Sequence, residues 1–156
     1  MVVGIKLNKN GKHVGLMEVH LYRPFSEKYF LSELPDAVKT IAVLDRTKEP
    51  GSNGEPLYLD ITAALNDKDI KVVGGRYGLA SKNTTPEDIN AVYEMLNNPV
   101  NNFTIGIVDD VTNLSLEPIA INTKKCNEWL FYGYGSDGMV SASKSIICLS
   151  KQPILS

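Results

Sequence analysis

An α/β fold, a three-layer α/β/α sandwich around a mostly parallel sheet, is what this sequence predicts, and three observations carry the prediction. Short apolar runs, "TIAVLD" (40–45), "IKVVGG" (70–75) and "FTIGIVDD" (103–110), have the composition of strands covered on both faces. Amphipathic segments with helix-boundary signals lie between them. The alternation of the two kinds of segment implies right-handed βαβ units.

The elements follow in chain order. "VGLMEVHLY" (14–22) is β-rich and partly alternating, and reads as a strand. In "RPFSEKYFLSELP", Ser26 is a natural N-cap, Phe25 and Phe30 can form a hydrophobic staple, and Pro35 closes the segment. In "GEPLYLDITAALN", Leu57, Ile61, Ala64 and Leu65 make one apolar helical face. In "NTTPEDINAVYEMLNN", Thr85 caps, Pro86 occupies the first turn and Asp88 completes a capping box, ahead of an apolar stripe of Ile89, Val92, Tyr93 and Leu96. "EWLFYGYG" (128–135) reads as a further strand, and "MVSASKSIICL" after it as a helix. The polar "NTKKCNE" (122–128) reads as a linker, dividing the chain into 1–122 and 123–156.

The totals exclude several classes of function. The chain has 156 residues, enough for one core and too few for two full domains. Its net charge of -2 argues against broad electrostatic binding to nucleic acid or to an anionic membrane. No apolar stretch approaches the roughly 20 residues of a membrane helix, and the N-terminus does not read as a secretory signal. Two cysteines, Cys126 and Cys148, form neither a disulfide framework nor a CxxC pair, so the expected compartment is reducing and cytoplasmic. For the same reason this chain alone is expected to hold no structural zinc and no iron–sulfur cluster.

Ligands of parallel sheets meet the loops at the carboxyl ends of the strands. Three loops qualify: "LDRTKEPGSNGEP" (44–56), "GGRYGLASK" (74–82) and "DDVTNLSL" (109–116). The first concentrates Asp45, Arg46, Lys48 and Glu49, which suit an acid–base or anion site, although charge runs are usually solvated faces. Arg76 can bind an anion or pair with a loop carboxylate, for which Asp45, Glu49, Asp109 and Asp110 are candidates. Asp109 and Asp110 suggest a metal pair, but no third ligand stands at suitable spacing. His13, His20 and the two thiols lack a nucleophile motif or an evident base partner, so no catalytic residue is assigned. "YGYGSDGM" (132–139) has GxGxxG spacing ahead of a helix, which suits phosphate or forms a plain tight turn. No Asp or Glu follows Asp137, so a dinucleotide reading fails.

Several of these strings together resemble one family. "VGLMEVHLYRPFS", "TIAVLDRTKEPG", "PLYLDI", "GGRYGLASK", "FTIGIVDDVTNLSL" and "YGYGSDGMVSASKSI" resemble, in order and spacing, an internal segment of the pyruvate:ferredoxin (flavodoxin) oxidoreductases. The resemblance runs from Gly11 to Ile146. It implies a large multidomain enzyme, a homodimer, which decarboxylates pyruvate on thiamine diphosphate with magnesium. Such an enzyme passes electrons through 4Fe–4S clusters to ferredoxin or flavodoxin and forms acetyl-CoA and CO2 from coenzyme A. The segment here is similar to its second domain, of transketolase C-terminal type, with residues 123–156 as the start of the next, oxidoreductase gamma-like domain. The chain then reads as a fragment that begins inside a helix, ends inside the following domain and is inactive alone. The resemblance implies no catalytic residue, metal or cofactor held by this segment itself.

The same resemblance makes Gly135, Ser136, Asp137, Gly138 and Met139 a coenzyme A-binding loop. Met139 stands where the family usually has Thr, and Ser141 and Ser143 where Gly and Asn are typical. It turns Asp45, Arg46, Lys48, Glu49 and Arg76 from a catalytic cluster into an interdomain contact, with the remaining domains of the parent enzyme as partners. Two other readings stand beside this one: a stand-alone nucleotide- or phosphate-binding module, and an interaction subunit of a split 2-oxoacid oxidoreductase.

Overall fold

A computed structural model describes residues 7–108, 111–121, 132–134, 136 and 138–150. It divides into two compact units, Met1–Ile121 and Asn122–Ser156.

The first unit is built on a parallel sheet. Strand β1 is Thr40–Asp45, β2 is Lys71–Arg76 and β3 is Phe103–Thr104, in the order β1-β2-β3. Helix α1 (Glu27–Glu33) precedes β1, α2 (Pro56–Ala64) joins β1 to β2, and α3 (Pro86–Met95) joins β2 to β3. Pairing runs from Thr40 opposite Lys71 to Asp45 opposite Arg76, then Gly75 opposite Phe103 and Arg76 opposite Thr104. An α/β architecture with a parallel sheet is therefore what the chain adopts, as its segment alternation predicts.

Strand alternation sorts the core into two layers. On one face, Ile41, Val43 and Val72 pack with Phe30 of α1, Ile61 of α2 and the following Leu65. On the other, Ala42, Leu44 and Val73 pack with Ile89, Val92 and Met95 of α3, together with Phe103 and Ile105. Gly74 and Gly75 lie on opposite faces of β2, and each gives its space to a ring. A Cβ on Gly74 would sit 2.9 Å from the Tyr58 ring, and one on Gly75 only 2.2 Å from the Phe103 ring.

Local chemistry explains the helix boundaries. Phe25 and Phe30 bring their ring centroids to 5.8 Å, the hydrophobic staple at the start of α1, although the Ser26 side chain makes no capping bond. Helix α3 carries the full capping box: the Asp88 N–H donates to Thr85 Oγ1 (3.2 Å) and the Thr85 N–H to Asp88 Oδ2 (2.8 Å). Tyr93, expected on the apolar stripe, instead donates its hydroxyl to the Gly15 carbonyl (3.1 Å), while Met95 joins the core layer.

Two strand expectations differ. Residues 14–22 form no strand, and Leu16, Met17 and Leu21 are exposed. An alternating pattern shows what could pair, and among the described residues this segment bonds elsewhere, Val14 with the Asn8 side chain and the Gly15 carbonyl with the Tyr93 hydroxyl. Among the described residues of the run 103–110, the strand is confined to Phe103–Thr104, with Gly106 at φ +76° just beyond it. Thr104 then pairs in an isolated bridge with Ser115, on the returning loop.

In the second unit, helix α4 spans Met139–Ser150, the segment predicted to be helical. Most of the expected strand 128–135 lies outside the described residues, and Tyr132–Tyr134 carry no strand.

Candidate functional site

Strands β1 and β2 end side by side at Asp45 and Arg76, against the start of α2. Pro56 occupies the first helical position, so the next two N–H groups need acceptors from outside the helix. Asp45 supplies them: Oδ1 accepts from the Leu57 N–H and Oδ2 from the Tyr58 N–H, both at 3.1 Å. The helix is thus capped from a strand, by a carboxylate that is only 8% exposed. Burial pushes the Asp45 carboxyl above the ordinary aspartate value; the two N–H groups oppose that shift, while Glu55 and Asp60 add to it.

The N-cap residue, Glu55, is 1% exposed and turns its side chain to β2. Its Oε1 accepts from Arg76 Nε at 2.6 Å, and the Glu49 N–H approaches the same oxygen at 3.5 Å. Arg76 also donates from Nη1 to the Asn102 carbonyl, just before β3 (3.2 Å). One ion pair therefore links the start of α2, the end of β2 and the entry to β3. Oε2 of Glu55 has no hydrogen-bond partner among the described residues.

The five charges singled out in the sequence divide. Asp45 and Arg76 converge on the α2 terminus, while Arg46, Lys48 and Glu49 are exposed on the loop. Arg46 lies across Gly78, where a Cβ would come 3.1 Å from its Nε and where φ is +61°. Of the carboxylates expected for Arg76, neither Asp45 nor Glu49 pairs with it; Glu55 does, and Asp109 and Asp110 lie outside the described residues. The missed signal is a charged residue directly before the proline that starts a helix.

The glycine-rich loop is described in part, with Gly135 and Asp137 outside the described residues. Ser136 has φ +52° and Gly138 φ +77°, and Met139 begins α4. A Cβ on Gly138 would meet nothing within 4 Å among the described residues. Among the described residues, no group of three or more His, Cys, Asp or Glu could hold a metal ion. No helix among them is long and apolar enough to cross a membrane.

The Asp45 geometry sets a pH dependence. With its folded value raised, its contribution to stability is fully present below the ordinary aspartate value, roughly 4. That contribution is lost as pH rises through the folded value. Asparagine cannot ionise, so the stability gap between wild type and Asp45→Asn should narrow with rising pH across that window. Urea unfolding at a series of pH values measures it, and a gap that widens would contradict the assignment.

Core domain II of pyruvate:ferredoxin oxidoreductase matches residues 2–89 of the chain. The pyruvate:ferredoxin oxidoreductase of Moorella thermoacetica is 52% identical over 148 residues, and the pyruvate-flavodoxin oxidoreductase of Klebsiella pneumoniae 50% over 149. That of Nostoc is 45% identical over 161 residues. Each alignment covers 90% of this chain, and the chain spans 13% of the length of each relative. On the match to core domain II and on these identities, the chain belongs to the pyruvate:ferredoxin oxidoreductase family.

Proposed function

We propose that this chain works as a non-catalytic core segment of a pyruvate:ferredoxin (flavodoxin) oxidoreductase, orienting its neighbouring domains. Residues 1–122 are the domain of transketolase C-terminal type, and 123–156 begin the next domain. The whole enzyme oxidatively decarboxylates pyruvate with coenzyme A to acetyl-CoA and CO2 and reduces ferredoxin or flavodoxin. The relatives' names support pyruvate as the substrate and ferredoxin or flavodoxin as the electron acceptor.

One observation carries the structural role: the converging charges are engaged within the domain. Asp45 holds two α2 N–H groups and Glu55 holds Arg76, so this cluster builds the domain. The exposed Arg46, Lys48 and Glu49 then sit on a loop whose base is fixed, available to a neighbouring domain. Two cysteines are too few thiolates for a 4Fe–4S cluster, so the clusters belong to other parts of the enzyme, and the family resemblance assigns thiamine diphosphate and magnesium there as well. Coenzyme A would meet the loop Gly135–Met139. The positive φ of Ser136 and Gly138, with nothing within 4 Å of a Gly138 Cβ among the described residues, is compatible with a ligand's approach.

The test places this segment into one of the half-identical oxidoreductases in exchange for its own. The chimera should retain pyruvate-dependent reduction of an electron acceptor, and the 156-residue chain alone should show none. Arg46→Ala in the chimera should reduce the yield of assembled enzyme more than turnover per assembled enzyme. Turnover by the chain alone, or a chimera that assembles without activity, would overturn the reading.

A further inference from the structure

We propose that Asn53 is a site of spontaneous deamidation in the folded chain, a chemical modification at the threshold of α2. Two Asn-Gly pairs occur, Asn10–Gly11 and Asn53–Gly54. Glycine after asparagine presents the least hindered backbone nitrogen for attack on the side-chain amide, because it lacks a Cβ. Asparagine is among the thermolabile residues for this kind of reason.

The two pairs differ in what holds the attacking nitrogen. The Gly11 N–H donates to the Asn8 carbonyl at 3.0 Å, within a turn. The Gly54 N–H reaches only Ser52 Oγ, at 3.5 Å. Asn53 is exposed, and no hydrogen bond or ion pair holds its side chain among the described residues. The fold also requires glycine at 54, since a Cβ there would lie 2.4 Å from the Tyr58 ring. Packing against α2 thus keeps the reactive pair in place.

The reaction needs only water. The Gly54 nitrogen, deprotonated by hydroxide, attacks Asn53 Cγ; a C–N bond forms, the bond to Nδ2 breaks, and ammonia leaves. Water then opens the five-membered imide at either carbonyl, giving aspartate or isoaspartate. One water enters and one ammonia departs, with no change of oxidation state. Either product adds one negative charge to a chain of net charge -2. Isoaspartate also lengthens the main chain by one methylene just ahead of Gly54 and Glu55. Gly54 has no spare room, so the displacement passes to the N-cap that holds Arg76.

Incubating the 156-residue chain in mildly alkaline buffer, with peptide mapping by mass spectrometry and isoaspartate detection, tests this. Conversion should appear at Asn53 before Asn10 and before every asparagine not followed by glycine. The lead of Asn53 over Asn10 should shrink in urea, where the Gly11 hydrogen bond is lost. Asn53→Gln should abolish the acid product at that position. Conversion at Asn10 first, conversion at Asn53 only in urea, or no conversion at all would each overturn the proposal; the wild-type ranking stands as a test even if the variant fails to fold.

Discussion

Glu55→Ala is expected to destabilise the 156-residue chain by about 3–5 kcal/mol, the cost of breaking a buried ion pair by removing one partner. The reason lies in what remains. The Arg76 side chain is 15% exposed and cannot turn its charge fully to water, so it would keep Asn102 and lose the carboxylate it pairs with. Arg76→Ala should cost a similar amount, because the Glu55 side chain is 2% exposed and one of its oxygens has no partner among the described residues. The two effects should not add. Removing both charges, as in Glu55→Met with Arg76→Met, leaves no orphan ion and should recover much of the loss. Urea unfolding of the two single variants and the double variant gives the coupling directly. A double variant as unstable as the sum of the singles would show that the pair contributes through something other than mutual neutralisation.

Phe103→Ala should have an effect of the same size, about 3–5 kcal/mol, by opening a cavity beneath a side chain that is 0% exposed. Phe103 lies in a strand of only two residues, so packing against Val73 and Val92 must fix what few ladder bonds hold. Its ring also covers the backbone of β2 at Gly75. From the other side of the same contact, Gly75→Ala drives a methyl group into the ring and should cost about 1–3 kcal/mol or more. The double variant, alanine at both positions, places a methyl where the ring was and should be more stable than the sum of the singles predicts. Thermal or urea unfolding checks this, and strict additivity would mean that the ring and the glycine do not share the space.

Much of this fold is written in local signals. Strands β1 and β2 lie within one residue of the apolar runs that announce them, since a strand covered on both faces needs no alternation to be recognised. Helix α3 starts where Thr85, Pro86 and Asp88 require it, because a capping box satisfies its donors within four residues. What was not legible depends on partners distant in the chain. The pattern at 14–22 states what a strand there would bury but not which strand would pair with it. The run 103–110 could not reveal that the ladder stops at Thr104 and that Thr104 pairs onward with Ser115.

The charged site divides in the same way. Asp45 and Arg76 stand out because each ends an apolar run, where a charge can emerge from the core. Glu55 was hidden, since a glutamate in a Gly-, Ser- and Asn-rich loop resembles every solvated loop charge. Only the three-dimensional course of the chain puts it beneath Arg76, 21 residues away.

The capping of α2 by Asp45 has a consequence for the order in which the domain assembles. A helix whose first donors are satisfied by its own N-cap side chain can begin to form before anything packs on it. Helix α2 lacks that autonomy: its acceptors are 12 and 13 residues away, at the end of β1. The carboxylate reaches those donors only once the strand has been laid down, so the crossover helix and the strand it follows mature together. In this domain β1 and α2 together are the smallest piece in which that helix has a complete beginning.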